Sequence, residues 1–82
     1  MKTNDLKSGN LVLLRNGNWA TLKDNKKGNT RIAEVRGQYT ETGSLYAHDI
    51  IYYMDKHTGE LDLVEHTQTQ IACRKMVNTL LG

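Results

Sequence analysis

Glycines at positions 9, 17, 28, 37, 43 and 59 cut residues 1–65 into short segments, and this spacing limits what the chain can fold into. Each stands beside a polar or turn-forming neighbour, and the runs between them are apolar and short. Such punctuation is the signature of a small all-β sandwich or barrel. "LVLLR" (Leu11–Arg15) reads as a strand that ends at Asn16-Gly17, a pair suited to the positive-φ positions of a tight hairpin turn. "NWATLKD" returns antiparallel to it, "KKGN" is the next turn and "TRIAEVR" (Thr30–Arg36) the third strand. Arg36-Gly37 breaks the run, and "QYTETGS" reads as a hydroxyl-rich loop or short hairpin around Gly43. "LYAHDIIYYMD" (Leu45–Asp55), rich in β-branched and aromatic residues, is the longest expected strand. After "KHTG", the alternation of "ELDLVE" puts Leu61 and Leu63 on one face.

The tail changes period. Thr67 followed three residues later by Gln70 matches a helix capping box. Ala72, Cys73, Met76, Val77, Leu80 and Leu81 then recur at helical spacing, with Arg74, Lys75, Asn78 and Thr79 outside the stripe. A helix is expected over 67–81, lying across one open end or face of the sheet. "IIYYM" (Ile50–Met54) is apolar on both faces, which calls for that helix, or a second copy, to cover one of them; the helix is the favoured cover. No repeat, low-complexity segment or proline divides the chain, so its 82 residues form one domain, a β-unit (1–65) with a C-terminal helix (67–81).

A domain this small buries only roughly 60–65% of the surface its unfolded chain exposes, so the core is thin. The single cysteine, Cys73, rules out an intrachain disulfide and suits a reducing compartment. No apolar run approaches the roughly 18 residues of a membrane span, and "MKTNDLKSGN" has no apolar stretch behind its lysine, so no signal peptide is expected. The expected setting is the cytoplasm, away from membranes. The formal net charge of +2 is unevenly spread: residues 1–36 carry eight Lys/Arg against three acids, and residues 37–82 carry three against six. The first half attracts anions and the second repels them, a polarity that also favours self-association.

"DLKSGNLVLLRNGNWATL" (Asp5–Leu22) resembles the opening of SH3-like small barrels, a fold common among nucleic-acid- and protein-binding modules. "DNKKGNTRIAEVRG" (Asp24–Gly37), "TETGSLYAHDI" (Thr40–Ile50) and "VEHTQTQ" before the helix are similar to small uncharacterised proteins of tailed bacteriophages and prophages. These resemblances imply an SH3-like antiparallel barrel of about five to six strands. They also imply an accessory protein of a phage or mobile element, acting in its host on nucleic acid, polymerase or immunity. They carry no catalytic residues to transfer.

The residues themselves argue against an enzyme. His48, His57 and His66 lack any metal-ligand spacing, and the strand neighbours His48 and Asp49 are expected to point to opposite faces. Cys73 sits on the apolar side of a helix, where an inert thiol is the ordinary reading. Ser44 has no nucleophile-elbow context, and the glycines match no phosphate-binding fingerprint. No cofactor or metal is expected. The candidate site is a basic face in the N-terminal half. Lys26, Lys27, Arg31 and Arg36, with Lys23 and Arg15 behind them, lie near Trp19, and alternation puts Lys23 on the same strand face as Trp19 and Thr21. An aromatic ring beside cations can stack a base and neutralise phosphate; alternatively, Lys and Asn here only solubilise a hairpin tip, and Trp19 is core. Thr40, Thr42 and Ser44, flanked by Tyr39 and Tyr46, are a second candidate, able to meet Arg31 or Arg36 of a neighbour and hold a nucleotide between subunits. The expected partners are therefore nucleic acid, a host protein or a small nucleotide, bound by a possible homo-oligomer.

Overall fold

The computed structural model describes residues 1–81, Leu81 by its helical backbone only. Strands β1 (Leu11–Leu14) and β2 (Trp19–Leu22) follow the alternation of the sequence: Val12, Leu14, Ala20 and Leu22 are buried, and the residues between them half-buried. Their hairpin turns at Gly17, whose φ of 90° only glycine adopts without strain. The Asn16 side chain accepts the Asn18 N–H at 3.0 Å inside the turn. Strand β3 (Thr30–Arg36) pairs with β2 from Trp19↔Arg36 to Leu22↔Ala33, and β4 (Thr40–Tyr46) pairs with β3 along its whole length. A single 3₁₀ turn, Ala47–Asp49, leads to β5 (Ile50–Met54), which pairs with β1; β6 (Leu61–Leu63) pairs with β5. The result is one antiparallel sheet in the order β4-β3-β2-β1-β5-β6. No ladder joins β4 to β6, so hydrogen bonds do not close the sheet into the expected barrel.

Two further expectations change. "QYTETGS" is not a loop: Thr40–Tyr46 is a full strand, because its threonines and tyrosine suit a pleated surface and β3 supplies partners for every residue. Leu45–Asp55 is not one strand, because its two ends pair with β3 and β1 on different sides of the core. The 3₁₀ turn makes that corner, held by Ala47 N–H to Asn29 O (2.8 Å) and Arg15 N–H to Asp49 O (2.7 Å).

One sheet face carries the core, in which Leu6 and Val64 from the chain's two ends join Val12, Leu14, Ala20, Leu22, Ala33 and Ile50. The ends are tied together where Thr3 N–H and Thr3 Oγ1 donate to Glu65 O at 2.9 and 2.7 Å. The helix α1 (Gln68–Leu81) begins at the expected capping box: Thr67 N–H donates to Gln70 Oε1 (2.9 Å) and Gln70 N–H to Thr67 Oγ1 (3.2 Å). Its seat differs from expectation. Gln70 is buried and Cys73 and Val77 half-buried, but Met76 is 65% and Leu80 79% exposed. The helix rests on the 3₁₀ turn Ala47–Asp49 and does not cover β5. Leu81, the last residue of the expected stripe, lies outside the described side chains.

Candidate functional site

The basic stretch Lys23–Arg31 forms the β2–β3 loop. Its base is fixed by Lys23 N–H to Ile32 O (2.9 Å) and by Asp24 Oδ2, which accepts the Ile32 N–H at 2.9 Å. Asn25 Oδ1 accepts the Ser8 N–H at 2.7 Å and holds the loop near the N-terminal segment. Lys26 and Lys27 are exposed and make no ion pair among the described residues. Between this loop and the 3₁₀ turn Thr3–Asp5 lies an open cleft of about 650 Å³, with Lys7 and Lys27 on its walls.

Arg31 is not part of that basic surface. Strand parity sets it beside Ala33 on the core face, where it is fully buried. Its Nη1 donates to Gly28 O (2.9 Å) and Thr30 O (2.7 Å), and its Nη2 to Asn4 Oδ1 (3.0 Å). Gln70 Nε2 donates to the same Gly28 O (2.7 Å) and Asn4 Oδ1 (3.2 Å), so one polar knot ties the loop, the N-terminal turn and the helix. Burial pulls the Arg31 pKa below its ordinary value, opposed by the Asp24 carboxylate. Arg31 can reach neither a ligand nor a neighbouring subunit while the fold is intact. The sequence points to neither Gln70 nor Asn4 as a partner in this knot, because only the capping role of Gln70 is local.

The outer face of the sheet gathers most of the remaining candidates. Trp19 pairs with Arg36, and Arg36 with Thr40; Thr21 pairs with Glu34, and Glu34 with Thr42; Ile32 pairs with Ser44. Residues paired across strands share a face, so Trp19, Arg36, Thr40, Thr42 and Ser44 stand on one side of β2, β3 and β4. Lys23 joins them through Glu34, 3.8 Å from its Nζ. Trp19 is half-buried and also lies beside Leu13, so it is neither core nor fully free. Arg36, Thr40, Thr42 and Ser44 are exposed.

His48 and Asp49 are not separated as strand neighbours would be. In their 3₁₀ turn His48 Nδ1 lies 3.3 Å from Asp49 Oδ1, and the His48 ring stacks on Tyr46 at 4.9 Å. No group of three His, Cys, Asp or Glu residues is placed to hold a metal among the described residues, and none of their helices is long and apolar enough to cross a membrane. His66 Nδ1 lies 2.8 Å from Thr3 Oγ1. Burial, then the Arg15 charge and His48, push the His66 pKa below its ordinary 6.5, against the opposing effect of hydrogen bonding of the ring to the Ile50 backbone and the Gln70 side chain. The fold therefore favours neutral His66, whereas the unfolded chain takes up a proton near 6.5. This stabilising contribution is complete above pH 6.5 and is lost as pH falls through the lower folded value. Melting temperature should decline with acidification below pH 6.5, and His66→Asn should flatten that decline while leaving its upper plateau level.

No protein-family model, curated protein or solved structure matches the chain.

Proposed function

We propose that this chain is a non-catalytic accessory protein of the phage type, working in the host cytoplasm, that binds single-stranded nucleic acid on the outer face of β2, β3 and β4. The observation that carries the reading is the row Trp19–Arg36–Thr40 on an open sheet face. A stacking ring, a guanidinium and a hydroxyl there follow the spacing of adjacent strands, about 4.8 Å. Base stacking on an aromatic is sequence-tolerant and worth about 1–3 kcal/mol per base, and cations along the strand neutralise phosphates. Lys23, paired with Glu34 on the same face, and the exposed lysines Lys26 and Lys27 of the β2–β3 loop add positive charge beyond the end of β2. An SH3-like descent, with its barrel left open between β4 and β6, is consistent with a β1–β4 meander followed by a 3₁₀ turn and a return of β5 to β1.

Trp19 is the only tryptophan, so it reports on its own site. Titration with oligothymidylate or oligouridylate should quench its fluorescence, and log K should fall linearly with log salt. Lys26→Glu with Lys27→Glu should abolish measurable binding at physiological salt; Arg36→Ala should reduce the salt slope by roughly one unit. Parent-like affinity in both variants would overturn the reading.

A second reading is favoured by the exposed hydroxyls of the edge strand β4: a counter-defence role, in which Thr40–Ser44 helps hold a signalling nucleotide between subunits or docks on a host immune protein. Salt-tolerant retention of a mono- or cyclic nucleotide, with no affinity for polymers, would select it.

A further inference from the structure

The sheet order leaves two edge strands, β4 and β6, and only one of them is guarded. Strand β6 has three residues; the Met1 amine donates to Leu63 O at 3.3 Å, and Lys2 bridges to Glu65 just beyond it. Strand β4 lacks the devices that keep an edge from pairing, which are shortness, lysine, proline and bulges. It runs for seven residues, its register with β3 is unbroken, and its one charge is Glu41. Among the described residues its backbone has no hydrogen-bond partner outside the β3 ladder. Alternate residues of such an edge point their N–H and C=O groups away from the sheet, and Thr40–Ser44 are all exposed.

We infer that a second copy of the chain occupies this edge, with β4 pairing antiparallel to β4 across a two-fold axis. The strand's own residues select this occupant. Directly opposed residues share a sheet face, so a two-fold axis normal to the paired sheets must fall at the level of a residue. Gly43 is the middle residue of Thr40–Tyr46, and an axis there pairs all seven. Thr42 then opposes Ser44 of the second copy, Thr40 opposes Tyr46, and Glu41 opposes Leu45. Hydroxyls meet hydroxyls, the two Glu41 carboxylates stay apart, and Gly43 meets Gly43. The ladder supplies about six to eight backbone hydrogen bonds. On the core side the stem of Glu41 lies against Leu45 of the second copy, which is half-buried at the margin of the core. On the outer face the row Trp19–Arg36–Thr40 continues into Tyr46 and Thr30 of the second copy. That face stays open, so the pairing stands independently of what binds there.

Sedimentation equilibrium of the protein alone, over a concentration series, tests this. The parent should be a dimer. Gly43→Lys should raise the dissociation constant about tenfold or more, because it sets two ammonium groups against each other at the axis. The monomer should tolerate that change, since a Cβ at Gly43 meets nothing within 4 Å and its φ is not positive. Two double variants at the same positions read the register. Thr42→Lys with Ser44→Lys opposes like charges twice and should be monomeric. Thr42→Lys with Ser44→Glu opposes unlike charges twice and should dimerise at least as tightly as the parent. Leu80→Glu, on the exposed side of the helix, should leave the dimer unchanged. A parent that stays monomeric at high micromolar concentration would overturn the inference, as would a dimer indifferent to Gly43→Lys. So would a dimer that both double variants weaken alike, which is the result expected if the edge takes some other extended chain, or one that Leu80→Glu dissociates.

Discussion

Replacing Arg31 with alanine should cost about 3 kcal/mol of folding stability or more, because it empties the space of a fully buried side chain and removes three hydrogen bonds at the base of the β2–β3 loop, leaving only Gln70 to bond Gly28 O and Asn4 Oδ1. Domains of this kind are stable by only about 5–15 kcal/mol, so the variant should melt far below the parent or fail to fold at 37 °C. Four residues away, Lys27→Glu should change stability by about 0.5 kcal/mol or less, as should Lys26→Glu, since both side chains are solvated. Denaturant unfolding of the three variants measures the contrast. Equal, small effects at all three positions would mean that Arg31 does not hold the knot. Arg31→Lys should recover little, because one ammonium cannot reproduce the guanidinium fork that bonds three acceptors in fixed directions.

Ending the chain at Glu65 should abolish cooperative unfolding, whereas ending it at Val77 should leave a melting temperature within a few degrees of the parent. The first truncation removes Gln70, whose side chain bonds Gly28 and Asn4, and it uncovers the 3₁₀ turn on which the helix rests. The second removes Leu80, which is 79% exposed in the folded monomer and contributes almost nothing to its core. Circular dichroism melts of the two truncated chains decide between this local anchoring and a helix needed along its whole length.

The parts of the fold legible in the sequence are those fixed by neighbours along the chain. Asn16-Gly17 specifies its turn through the positive φ that only glycine tolerates freely. The alternation in Leu11–Leu14 and Trp19–Leu22 specifies which side faces the core, and Thr67 with Gln70 specifies where the helix starts, through bonds three residues apart. The same parity correctly put Lys23 on the face of Trp19. Alternation along β3 also sets Arg31 on the face of Ala33, but its charge points to the surface, and charge is local information that burial overrides.

What the tertiary structure alone decided depends on residues far apart in the chain. "QYTETGS" becomes a strand because β3 offers it a full set of backbone partners, which its own composition only permits. Leu45–Asp55 breaks at Ala47–Asp49 because its two halves pair with different strands, a conflict invisible within those eleven residues. The buried fate of Arg31 rests on Asn4, 27 positions away, and on Gly28, which Gln70 also bonds from 42 positions away. Helical periodicity predicts that Met76 and Leu80 share a side with Val77, yet periodicity carries no information on what that side meets. The helix direction is set at its first turn by the knot around Gln70, and that anchor leaves Met76 and Leu80 in solvent. Local bonds thus fix turns, caps and strand faces, while pairing and burial, which depend on closing long loops, settle which of those faces are free to bind.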